Sequence, residues 1–136
     1  MAEKKSEALS RAGFVLVLLM AGLQLAYALC AFADPAAFSL TRGTELFAAG
    51  DADWVRIYAS RTLFIALIIG YLLYSKQVKI LAVASLLGIV MPITDAWLAY
   101  QASAGDKVLV KHIVTALFLV VSFIILRSVV RRGQSA

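Results

Sequence analysis

Four stretches of the chain hold apolar runs long enough to cross a bilayer: 13–33, 54–74, 80–101 and 108–126, each rich in Leu, Ile, Val and Ala. A hydrocarbon core about 30 Å thick needs about 20 such residues in a helix, whereas a barrel strand needs only about ten that alternate. The pattern predicts an all-α fold, a four-helix transmembrane bundle with up-down antiparallel topology. Residues 75–79 read as a tight hairpin connection. Residues 102–107 read as a second short one, with Gly105-Asp106 as turn residues and Asp106 as N-cap. Short connections make consecutive helices antiparallel neighbours.

The connection 34–53 differs. Asp34-Pro35 reads as an N-cap followed by Pro at the first helical position. Thr44-Glu45 opens a second short apolar stretch that stops at Gly50. Phe38, Leu40, Leu46 and Phe47 are too apolar for a free loop, so one or two short interfacial helices are expected over the outer mouth. Residues 1–12 form a charged leader and Ala31-Phe32-Ala33 resembles a signal-peptidase site, but the apolar run exceeds a signal core, so a retained first helix is expected.

Composition strengthens the membrane assignment. Hydrophobic residues make up 62% of the 136 and charged residues 15%, with a mean hydropathy of +0.90. Soluble domains average nearer half apolar and a quarter charged, and a small domain buries only about two-thirds of its surface. Lipid must cover the rest. The single Cys, Cys30, excludes an intrachain disulfide, and the single His, His112, cannot supply both axial ligands of a haem. No motif for a metal, a dinucleotide or a phosphate loop occurs, so no metal and no cofactor is expected.

The net charge of +5 has a topological reading rather than a nucleic-acid one. Lys4, Lys5, Arg11, Lys76, Lys79, Arg127, Arg131 and Arg132 flank one side, with only Glu3 and Glu7 among the acids. Arg42, Arg56, Arg61, Lys107 and Lys111 fall on the other, with Asp34, Glu45, Asp51, Asp53, Asp95 and Asp106. This bias predicts an inner-membrane protein with cytoplasmic termini, basic tails at 1–12 and 127–136, and membrane lipids as partners.

Ionisable residues inside a membrane are expensive and mark functional sites. Arg61 lies roughly 12 Å into its span from the outer side, and Asp95 and His112 roughly 9 Å into theirs. Three residues on three helices thus share one level. Helical spacing adds Tyr58 to the face of Arg61 and Thr115 to that of His112, and it places Gln24 and Tyr27 on one face of the first helix. Gly88, Pro92 and Asp95 share a face, and Pro92 frees the Gly88 carbonyl. Arg61, Asp95 and His112 are expected to form one polar cluster in the outer half of the bundle; the alternative reading is that Arg61 and Asp95 are only a structural ion pair that fixes the register of the helices. Arg56 and Lys111 are expected to snorkel outward, and Trp54, Trp97 and Tyr100 to form the rim.

Arg61-Thr62-Leu63-Phe64 with Gly70, Asp95-Ala96-Trp97 and Lys111-His112 resemble the small bacterial and fungal four-helix membrane proteins grouped as a domain of unknown function near the DoxX-like group. The resemblance covers most of residues 10–128. It implies a four-helix bundle and no established activity. Some DoxX-like relatives are linked to quinone-associated redox complexes, but this chain has no second Cys of its own to support redox chemistry.

Three functions fit these residues. The first is a module that binds or passes a small polar or amphipathic molecule through Arg61, Asp95, His112, Tyr58, Thr115, Gln24 and Tyr27. The second is a membrane enzyme on a lipophilic substrate (an isomerase, a cyclase or an epoxide-opening enzyme), with Asp95 and His112 moving protons and Arg61 facing an oxyanion. The third is an accessory subunit or a chaperone of a larger membrane complex, and the expected protein partners are a second copy of the chain in a homo-oligomer or a subunit of such a complex.

Overall fold

A computed structural model describes residues 2–48 and 50–133, with side chains from residue 7 to 132. Among the described residues six helical segments run in the order α1 (Ala2–Ala33), α2 (Pro35–Arg42), α3 (Asp51–Tyr74), α4 (Val78–Gly88), α5 (Val90–Gln101) and α6 (Asp106–Gly133). Four helices are long and apolar enough to cross a membrane, over Glu7–Ala33, Asp51–Tyr74, Val78–Gln101 and Asp106–Arg132. The four-helix bundle read from the sequence is present. α1 and α6 begin or end well inside the stretches read as tails, because the tail residues continue the helical hydrogen-bond ladder.

The third span is one helix broken into α4 and α5. Pro92 has no N–H to give the Gly88 carbonyl, and the chain pivots at Ile89, whose own N–H reaches Leu86 O at a long 3.4 Å.

Each span turns a narrow stripe inward. On α3 the buried residues are Ala59, Thr62, Ala66 and Ile69. On α6 they are His112, Leu119, Ser122 and Leu126. These spacings of three, four and seven residues are those of a coiled-coil seam. Small residues at Ala28, Ala31, Ala59 and Ala66 let α1 and α3 approach closely, the usual basis of helix association in lipid. Val17, Met20, Ile69, Leu81, Leu119 and Leu126 fill the core toward the end away from α2. Most other large apolar side chains face outward, among them Phe14, Leu18, Leu29, Leu67 and Leu117.

The packing is uneven. α1 lies along α3, α6 lies along α4 and α5, and α1 with α6 joins the two pairs. α3 meets α4 only modestly, and α3 and α5 hardly touch. The fourth side of the bundle is therefore open next to the break in the third span.

The connection between α1 and α3 forms one short helix, not two. Asp34 Oδ1 caps α2 by accepting from Ala37 N at 3.0 Å, as the Asp-Pro pair predicts. Gly43 ends α2 in the left-handed region at φ 92°. The stretch after Thr44 stays non-helical because Asp51 Oδ2 takes the N–H groups of Phe47 and Ala48 at 2.7 and 2.9 Å, holding them in a turn that enters α3. The turn between α5 and α6 also departs from expectation. Ser103, at φ 54°, carries the left-handed conformation instead of Gly105, and Asp106 is the first residue of α6 rather than its cap. Lys76 at φ 55° plays the same part after α3.

Candidate functional site

α2 lies across one end of the bundle and inserts two side chains four residues apart. Phe38, 6% exposed, packs with Ala31 and Ala59, and its ring meets Tyr27 of α1 at 5.8 Å and Tyr58 of α3 at 5.6 Å. Arg42 follows on the same face. Its guanidinium stands 5.3 Å from the Tyr27 ring and 5.8 Å from the Tyr58 ring, within cation–π range of both. Its Nη2 donates to Asp95 Oδ2 on α5. The neighbouring Lys111 Nζ donates to the Thr41 carbonyl, a second tie from α6 to the same short helix.

This pairing rules out the alternative in which Arg61 and Asp95 form a structural ion pair. Asp95 is held by Arg42, a residue the depth argument left among the outer flank charges. The signal that could have found it is local: Phe38 and Arg42 stand at i and i+4, an apolar–cationic face on a helix that Gly43 stops at once. Arg56 does not snorkel alone but pairs with Asp53 at 2.9 Å.

Below the Arg42–Asp95 pair lies a cavity of about 490 Å³. Gln24, Tyr27, Tyr58, Arg61, Asp95, His112 and Thr115 all line it. The seven residues picked from the sequence thus converge on one space, from four different spans. Most of the remaining wall is apolar, including Met20, Ile65, Ile69, Phe118 and Leu119, and Gly88 and Pro92 bring the break in the third span to its edge. A second space of about 250 Å³ lies against Phe38, Trp54, Val55 and Leu98. Arg42, Tyr58 and Asp95 line both, so the ion pair and the Tyr58 ring stand between them.

Two polar groups in the larger cavity lack partners. His112 is 1% exposed, and its Nε2 makes no hydrogen bond. Its Nδ1 stands 3.9 Å from Asp95 Oδ2, near enough for electrostatic attraction and too far for a hydrogen bond. Arg61 lines the cavity but is exposed, and it makes no ion pair, hydrogen bond or ring contact through its side chain among the described residues. Thr115 Oγ1 and Ser122 Oγ, in contrast, are satisfied within α6 by the carbonyls of Lys111 and Phe118. Trp97 and Tyr100 stay exposed at the surface and do not line the cavity, while Trp54 borders the smaller one.

The fold and cavity define a small multi-pass membrane protein with a polar wall set into an apolar bundle. The chain belongs to the family described as domain of unknown function DUF4267, whose pattern matches residues 21–126 and so takes in every cavity-lining residue named above except Met20. No curated protein and no solved structure matches the chain.

Proposed function

We propose that this protein binds a small amphipathic molecule in the cavity beneath α2, as an inner-membrane protein with both termini cytoplasmic and a place near the DoxX-like group. The supporting observation is the pairing of volume and chemistry. A mostly apolar space of about 490 Å³, in the usual ~300–1,000 Å³ range of small-molecule sites, carries a few convergent polar groups, one of them the buried and unpartnered His112 Nε2. A buried polar atom left unpaired costs free energy, so a ligand that satisfies it gains what the empty protein lacks. Binding fits better than acid–base catalysis, because Arg42 engages the Asp95 carboxylate that would serve as the base.

Native mass spectrometry of the protein released from mild detergent tests this reading. The wild type is expected to retain a small-molecule adduct. Gly88→Phe, which builds a ring at the cavity wall where a Cβ meets nothing closer than 3.7 Å, is expected to lose it. A wild-type mass equal to that of its bare polypeptide, or an adduct kept equally by both proteins, would overturn the proposal.

A further inference from the structure

The charges lining the cavity identify its ligand more closely. They are Arg42, Arg61 and Asp95. Arg42 and Asp95 neutralise each other, and the two tyrosine rings flank the Arg42 guanidinium. One permanent positive charge is left over, on Arg61. A guanidinium stays protonated under all ordinary conditions, so it cannot escape the cost of the membrane by losing its proton. It needs an anion, and its planar fork matches the two oxygens of a carboxylate or a phosphodiester.

The second constraint is the Asp95 carboxylate, 3.9 Å from the buried imidazole. A head group carrying two negative charges would leave one of them without a counter-charge, because Asp95 already occupies Arg42. A monoanion balances Arg61 and leaves Asp95 to Arg42. His112 Nε2 then supplies a further hydrogen-bonding atom within the same cavity.

The third constraint is the open side. Phe64 and Ile68 of α3 and Val90 and Met91 of α5 line the cavity, yet they are 64%, 42%, 63% and 37% exposed, and α3 and α5 hardly touch. The cavity wall therefore runs continuously into the apolar flank of the bundle. A chain attached to the head group can enter through this gap without leaving the hydrocarbon phase. The cavity volume suits one chain rather than the two of a phospholipid.

We infer that the ligand is a singly charged acidic amphiphile with one apolar chain, its head on Arg61 and its chain in the gap between α3 and α5. The inference rests on the reading of the cavity as a binding site and goes further by naming the chemical class and the route of entry.

Equilibrium binding of radiolabelled palmitate to the full-length protein in phosphatidylcholine nanodiscs tests it, with hexadecanol, acetate and phosphatidylglycerol as competitors. Palmitate is expected to bind. Hexadecanol should compete roughly ten-fold or more weakly, because it lacks the charge-assisted contact. Acetate should compete hardly at all, for want of a chain, and phosphatidylglycerol less well than unlabelled palmitate. Arg61→Gln should abolish the preference for palmitate over hexadecanol while leaving the unfolding temperature unchanged, and Arg61→Lys should keep part of it.

Binding of palmitate and hexadecanol alike, with Arg61→Gln silent, would overturn the acidic head group and leave the cavity reading standing. Competition by acetate equal to that by palmitate would overturn the role of the chain, and phosphatidylglycerol competing as well as palmitate would overturn the single-chain class. Binding of none of them, together with an adduct-free mass spectrum, would remove the cavity reading as well.

Discussion

The guanidinium of Arg42, on a helix only eight residues long, donates to the carboxylate of Asp95 in the third span and so closes one end of the bundle. Asp95 is chemically committed by this contact. Arg61, one helix away and lining the same cavity, is left with its full charge.

The pairing predicts a pattern of coupling. Arg42→Gln and Asp95→Asn should each destabilise the protein, because each leaves a poorly solvated charge without its counter-charge. The double substitution should cost less than the sum, with a coupling of about 1–3 kcal/mol. Thermal unfolding in detergent measures the cycle. The cycle of Arg61→Gln with Asp95→Asn should show no coupling, and coupling there instead would mean that Asp95 answers to Arg61.

Gly43 is a second sensitive point. Its φ of 92° suits glycine, and an added Cβ would stand 2.9 Å from both Ala104 Cβ and Val108 Cγ1. Gly43→Ala should cost at least roughly 1–2 kcal/mol from the left-handed backbone alone, with the clash in addition. Ser103→Gly should do the reverse at the α5–α6 turn, where a side-chain-bearing residue sits at φ 54°, and gain up to about 1 kcal/mol. Unfolding curves that shift the same way for both would contradict the turn geometry.

Stability and binding should separate at His112. Its Nε2 is buried without a partner, so His112→Leu removes an unsatisfied group and keeps apolar volume. The expected result is stability unchanged within about 1 kcal/mol, or raised, with binding of an amphiphile weakened. A large loss of stability would instead assign the imidazole a structural task.

Topology can be read with single cysteines in a Cys30→Ser background. Gln77 and Gly105 lie in exposed turns at opposite ends of the bundle. A membrane-impermeant maleimide applied to intact cells should label Gly105→Cys and spare Gln77→Cys. Labelling of both, or of Gln77→Cys alone, would reverse or break the orientation read from the lysines and arginines.

Much of the fold was legible because a bilayer imposes few and strong rules. An uninterrupted apolar run near 20 residues has one economical conformation, and depth can be counted from its ends. The same counting brought Arg61, Asp95 and His112 to one level, and the core stripes of α1, α3 and α6 carried Gln24, Tyr27, Tyr58 and Thr115 to the same cavity. The ion pair was not legible, because it runs from the short α2 to a span 53 positions away, and that separation leaves no periodic trace. The sequence left open whether one or two short helices follow α1, and a side-chain contact decided it. Phe47 and Ala48 are apolar enough for a helix, but Asp51 captures their N–H groups. At the turn after α5 the glycine suggested one backbone, and packing placed the left-handed residue at Ser103.

An experimental density map of the protein in lipid nanodiscs bears most directly on the central claim. The account predicts α3 and α5 held apart, with elongated non-protein density reaching from the lipid to the Arg61 guanidinium beside His112. A map in which α3 and α5 close on each other, with Arg61 turned to the lipid head groups, would contradict it.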